Sequence, residues 1–222
     1  MKYIVCDSGS LISLTSSCLM DVIYYFSKKD VKFIIPPAVK EESVDYPIRR
    51  NIKRFLFSAM RINNAIKEGV LTAVEDPGIS VETKKIMDLA NHVLFIRGKP
   101  LKLIQAGESE MLVLAHQVGI DYLLVDERTT RMLIEAPFRL KEHLEEEFGI
   151  NVMLDKKNYT KFREMFGSMN VARSSELVML AYEYGFFNRY NDMKKDALEA
   201  ALYKIKFSGC SIGFDEIRDY MG

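Results

Sequence analysis

The residues of this chain best suited to chemistry are carboxylates that directly follow short apolar runs or open helices. Asp7 follows Tyr3–Cys6 in Val5-Cys-Asp-Ser-Gly-Ser-Leu-Ile12, and Asp126 repeats that placement in Leu123-Leu-Val-Asp-Glu-Arg128. Glu41 and Glu42 come one turn into a helix that Pro37 is suited to open. They point about 100° apart, so one of them faces the end of the preceding strand. Glu42 is the choice, because Val39 and Ser43 then sit nearer the buried flank. Glu108 and Glu110 open the helix that carries Met111, Leu112, Leu114 and Ala115, and either can reach over a sheet edge. Each carboxylate also suits a helix cap or a dipole partner. The recurrence of one placement argues for a shared task.

Four carboxylates gathered in a desolvated cleft repel one another, and a chain that gathers them needs cations there. Oxygen donors without His or Cys select Mg²⁺ or Mn²⁺ over zinc, and such ions suit phosphodiester hydrolysis.

The elements that must position these groups follow from periodicity. Short β-rich runs at Tyr3–Cys6, Val31–Ile35, Val70–Val74, Tyr122–Val125 and Asn151–Leu154 alternate with segments of helical period. This predicts an α/β fold with a mainly parallel sheet of about five strands, whose ligand site lies beyond the carboxyl ends of the strands. One helix is expected over Ile48–Lys67, where Ile48, Ile52, Phe55, Ala59, Ile62 and Ile66 form a single stripe. Others are expected at about Val81–Ile96, at Gly107–Val118, and from Arg128 to before Pro137; Arg97-Gly98-Lys99-Pro100 reads as a turn.

Beyond Asp155 the pattern is purely helical, with helices expected at Tyr159–Phe166, Ser174–Tyr184, Asp192–Phe207 and Phe214–Met221. The expected division is therefore a sheet domain over 1–155 and a helical extension over 156–222. Leu177, Leu180, Ala181 and Tyr184 form an apolar stripe that should pack the extension onto the domain. Glu108–Gly119 and Ser174–Gly185 echo each other as helices that end at a glycine.

The 222 residues, 48% of them hydrophobic, are ample for a core. Lys+Arg and Asp+Glu are both 31, so any grip on nucleic acid must come from a local basic patch. Cys6, Cys18 and Cys210 form no CxxC pair, and His92, His116 and His143 are dispersed, which argues against a zinc site or a disulfide framework. No apolar run reaches the length of a membrane span, and Asp7 interrupts the first run before a signal-peptide core can form. A cytoplasmic setting is expected.

The motifs resemble those of the PIN-domain nucleases, which include archaeal and bacterial toxin ribonucleases and eukaryotic RNA-processing enzymes. Ile4-Val-Cys-Asp-Ser-Gly-Ser-Leu-Ile12 is similar to the family's first acidic motif, and Pro36-Pro-Ala-Val-Lys-Glu-Glu42 to its second. Gly107-Glu-Ser-Glu-Met-Leu-Val-Leu-Ala115 with Asp121-Tyr-Leu-Leu-Val-Asp-Glu-Arg-Thr-Thr-Arg131 is similar to the third and fourth, and is the most specific block. The resemblance covers about residues 1–155. It implies Asp7, Glu42, Glu108 and Asp126 as metal-binding carboxylates, Ser8 as a polar helper, Mg²⁺ or Mn²⁺ as cofactor and RNA as substrate. Glu110 competes with Glu108, and Glu127 stands where many relatives carry a second aspartate.

Opposite the apolar stripe of Ile48–Lys67, Arg50, Arg54 and Arg61 fall within about 40° of one another, flanked by Arg49 and Lys53, with Phe57 among them. That face can pair with phosphates and stack a base. The expectation is a metal-dependent endoribonuclease. Its alternatives are a catalytically weak RNA-binding or scaffold subunit of the same fold, or a toxin-type ribonuclease with an antitoxin-like partner. A homodimer fits any of the three.

Overall fold

The structure is a computed structural model that describes residues 2–75 and 78–222. The chain begins β1 (Lys2–Cys6), α1 (Ser8–Ser16), α2 (Asp21–Ser27), β2 (Val31–Ile35), α3 (Pro37–Lys40), a π-helical turn at Glu41–Asp45, and α4 (Tyr46–Arg49). It continues through α5 (Lys53–Lys67), β3 (Leu71–Ala73), α6 (Ile79–Asn91), β4 (Leu94–Ile96), β5 (Lys99–Pro100), α7 (Ala106–Val118) and β6 (Tyr122–Leu124). Next are α8 (Arg128–Glu135), α9 (Pro137–Phe148), β7 (Val152–Leu154), α10 (Lys156–Phe166), β8 (Asn170–Ala172) and α11 (Ser174–Glu183). A 3-10 segment at Phe186–Met193 leads into α12 (Lys194–Ser208) and α13 (Phe214–Met221).

The expected α/β architecture is present. Five strands form a parallel sheet in the order β3-β2-β1-β6-β8, with helices on both faces. Side chains alternate between the faces, as the two-residue period of a strand requires. Cys6, Phe33, Ile35 and Leu124 enter one core with α1, α2, α11 and α12. Val5, Leu123 and Val125 enter the other, with α6, α7 and α10.

Three expectations need correction. The fifth strand of the sheet is Asn170–Ala172, paired in parallel with Tyr122–Leu124. The expected strand at Asn151–Leu154 instead joins β4 and β5 in a separate antiparallel sheet. Three residues opening on Asn170 carry too little apolar pattern to stand out from their helical neighbours. The parallel sheet therefore crosses residue 155, and the segment beyond it is not purely helical.

The second correction concerns Ile48–Lys67, which is not one helix. Asn51 has φ of 51° and Ile52 is extended, so α4 stops and α5 starts afresh at Lys53. Asn tolerates the left-handed region better than most residues, which lets the chain turn there. Ala59 and Ile62 are buried as the stripe requires, while Ile48, on the far side of the break, is exposed.

The third correction is that the expected helix over Val81–Ile96 ends at Asn91 and gives way to β4. Arg97 and Gly98, with φ of 50° and 74°, make the turn into β5.

The C-terminal helices pack on the sheet. Leu177, Val178, Ala181, Leu198 and Leu202 share a core with Leu11, Leu14 and Phe26. The stripe on α11 is only half covered: Leu180 and Tyr184 are exposed and line an open cleft of about 570 Å³ at the end of the sheet where the strands start. Among the described residues no helix is long and apolar enough to cross a membrane.

Candidate functional site

The acidic edge starts at Asp7, which caps α1. Its backbone is extended and its carboxylate accepts from the Gly9 N–H at 3.0 Å, so the bond expected of a plain cap is made. Gly9 is required for this closeness, since a Cβ there would lie 2.9 Å from Asp7 Oδ2. Asp7 and Ser8 are both buried. Ser10, one turn on, donates its hydroxyl to the carbonyls of Asp7 (2.9 Å) and Leu124 (3.0 Å), tying the ends of β1 and β6 together.

The π-helical turn separates the two candidate glutamates of the second motif. Glu41 turns outward to Arg49 at 2.5 Å. Glu42 turns toward α7, where a Cβ on Gly107 would stand 3.3 Å from its Oε2. Such π-helical turns are frequent at functional sites.

The two candidates on α7 also separate. Glu110 reaches back to the start of α3 and accepts from the Ala38 N–H at 2.6 Å, so it braces the helix that leads to Glu42. Glu108 accepts from the Gln105 N–H at 3.0 Å and faces the acidic group.

Asp7, Glu42 and Glu108 lie close enough for their charges to oppose one another's ionisation. The Asp7 pKa is pushed up to about 7, first by burial and then by the negative charges of Glu108 and Glu42, while the N–H groups of Gly9 and Ser8 oppose the shift. Burial also raises the Glu108 pKa, with Glu42 and Glu127 adding to it. Glu127 caps α8 through the Thr130 N–H at 2.5 Å and so joins the same field. A buried aspartate among carboxylates is costly to ionise, and a hard divalent cation is the partner its chemistry suits.

Asp126 is placed differently. It sits one residue beyond Val125, which points into the core shared with α7, so alternation sends Asp126 to the opposite face. There it is buried, with Oδ1 accepting from the Ser174 N–H and Oδ2 from the Ser174 hydroxyl, both at 2.7 Å. The thiol of Cys210 lies close by, its pKa pushed up to about 12 by burial and then by Asp126. Asp7 and Asp126 thus end adjacent parallel strands at one edge, while their carboxylates meet different elements.

Among the described residues no three His, Cys, Asp or Glu side chains are arranged so as to hold a metal ion. Asp7 and Glu108 each make a cap bond of their own, and Asp126 is engaged by Ser174. The donor chemistry fits Mg²⁺ or Mn²⁺, and closing a ligand shell would require these side chains to turn.

The basic face is also altered by the break at Asn51. Arg50 lies on the turn, not on α5. Arg54 is exposed and stacks over the Phe55 ring at 5.2 Å, and Arg61 is tied to Asp21 at 3.4 Å. The three arginines therefore do not share one continuous helical stripe. Two participants were not anticipated from the sequence. Gly107 carries no side chain to signal its role, and Ser174 lies past the motifs in a segment without acidic candidates. No protein-family model, curated protein or solved structure matches the chain.

Proposed function

We propose that the acidic edge is the active site of a divalent-metal-dependent endoribonuclease of PIN-domain type. The observation that supports this most directly is the burial of Asp7 beside Glu108 and Glu42, three carboxylates from separate parts of the chain in one electrostatic field. Asp7, Glu42 and Glu108 would hold Mg²⁺ or Mn²⁺, with Glu127 at the margin and Asp126 supporting the edge. A cation bound there supplies an activated water and stabilises charge on the leaving oxygen of a phosphodiester. The chain's own part is to keep Asp7 dry, to turn Glu42 inward, and to place Glu108 at the opening of α7, from where it can swing off its cap bond to the cation. Arg50 and Arg54 are the proposed phosphate contacts, and the Phe57 ring, two-thirds exposed, offers a surface on which a base can stack. We place the activity in the cytoplasm, a reducing compartment that suits the three free cysteines.

The test is cleavage of mixed-sequence RNA by the purified chain with Mn²⁺, with Mg²⁺ and with EDTA, alongside Asp7→Asn. Metal-dependent cleavage lost in Asp7→Asn is the expected result. A second reading, an RNA-binding subunit of the same fold without catalysis, is favoured by the unassembled donor shell. It predicts RNA binding with no cleavage under any metal.

A further inference from the structure

We propose that Ser174, supplied from beyond residue 155, is a positioning residue for the acidic edge and acts by fixing the carboxylate of Asp126. The proposal rests on the nuclease reading. Ser174 is fully buried at the first position of α11, and it gives Asp126 both donors it has to give, the N–H to Oδ1 and the hydroxyl to Oδ2. A carboxylate oxygen has two lone pairs, so one donor on each oxygen fixes the plane of the group, with the Cys210 thiol also beside it.

The same hydroxyl lies 3.3 Å from the Ser10 carbonyl, and Ser10 in turn bonds the carbonyls of Asp7 and Leu124. Ser174 therefore sits where Asp126 meets the backbone that carries Asp7. The backbone of Asp126 is held from the same part of the chain: its carbonyl accepts from the Ser211 N–H at 3.2 Å. Ser211 is anchored in turn by Arg173, which donates to its carbonyl at 2.9 Å. Both polar ends of Asp126 thus depend on residues outside the segment that carries the acidic motifs. A plain cap of α11 would need only the N–H bond; the second bond, hydroxyl to Oδ2, orients the carboxylate.

The test compares Ser174→Ala, Ser174→Thr and Ser175→Ala with the wild type. Ser175 is the next residue of the same helical turn, equally buried, and its hydroxyl meets the Cys210 thiol and not Asp126. Two readouts are taken: RNA cleavage resolved into kcat and KM, and Mn²⁺ affinity by electron paramagnetic resonance without RNA. Ser174→Ala is expected to lower kcat about tenfold with KM unchanged and to weaken Mn²⁺ binding about tenfold, the lower end of the scale for losing an outer partner that supports a metal site. Ser174→Thr, which keeps the hydroxyl, should restore both, and Ser175→Ala should leave both as in the wild type. If Ser174→Ala does not fold, Ser174→Cys, close in size and a weak donor, must show the same loss.

Wild-type kcat and Mn²⁺ affinity in Ser174→Ala would overturn the proposal and leave the nuclease reading standing. Equal losses in Ser174→Ala and Ser175→Ala would reduce Ser174 to a packing role and also overturn it. A wild type that neither binds Mn²⁺ nor cleaves RNA overturns the nuclease reading, and the proposal with it.

Discussion

Glu42 and Gly107 are fitted to each other, for an added Cβ at position 107 would come within 3.3 Å of Glu42 Oε2 and 3.9 Å of Val39 Cγ2. Gly107 is the second residue of α7 and has no left-handed φ, so alanine there is favoured by helix propensity, by less than the ~1 kcal/mol of a helix interior. Gly107→Ala should therefore leave the melting temperature unchanged or raised while Mn²⁺ affinity falls a few-fold, because the Glu42 carboxylate must give way. Calorimetry of the two proteins with and without Mn²⁺ separates these effects, and unchanged Mn²⁺ affinity would remove Glu42 from the proposed metal set.

The Asp7 carboxyl gives the metal-free protein a definite response to pH. Burial and its carboxylate neighbours raise its pKa from 3.8 to about 7, so the folded protein binds this proton more tightly than the unfolded chain does. The contribution of Asp7 to stability is thus fully present below pH 3.8 and is lost as pH rises toward 7. The full span corresponds to about 4 kcal/mol at 1.36 kcal/mol per unit. Urea denaturation between pH 4 and 8 in EDTA should show this decline in the wild type and a shallower one in Asp7→Asn, with Asp7→Asn the more stable at pH 8. Parallel curves for the two proteins would mean that Asp7 ionises freely.

Arg173 is buried, donates to Glu176, Glu216 and the Ser211 carbonyl, and pins α13 and the preceding loop to the sheet. Burial alone would lower its pKa, yet the two carboxylates hold it raised, so it stays charged. Arg173→Met should destabilise the chain by about 1–2 kcal/mol, since the Ser211 carbonyl loses its donor while Glu176 and Glu216, both partly exposed, lose their common partner but remain solvated. The midpoint of urea unfolding measures this, and a shift below about 0.5 kcal/mol would mark the cluster as a solvated surface contact.

The arginines near α5 should no longer act as one group. Replacing Arg50 and Arg54 with glutamine should make the salt dependence of RNA binding shallower by about 1.4, for two lost contacts to a single strand. Arg61→Gln should change the slope less, because Asp21 already engages that guanidinium. Binding is measured in EDTA across a salt series, and three equal effects would restore the single-stripe picture.

Much of this arrangement is legible in the residues. The bounds of β2 and α13 follow from apolar runs and turn signals, and Asp7, Glu42 and Glu108 are marked by their positions after strands or at helix openings. The break at Asn51 is masked because Ile48, Ile52 and Phe55 keep the spacing of an unbroken helix across it. The direction of Asp126 follows by alternation from Val125, but which core Val125 enters is decided only once β6 has paired with β1. The echo between α7 and α11 proves to be local chemistry. Each opens with a glutamate accepting from the N–H three residues earlier, Glu108 to Gln105 and Glu176 to Arg173, and each is followed by a left-handed glycine, Gly119 or Gly185.

The late edge strand has a consequence for the order of events on the ribosome. Synthesis delivers Asp7, Glu42, Glu108 and Asp126 within the first 126 residues, yet Asp126 meets its donors only after Ser174 and Ser211 have emerged. Domains generally fold as units. A nascent chain that carries all four acidic residues still lacks β8 and the groups that orient Asp126, so the edge takes its final form only after the strand that closes the sheet has been made.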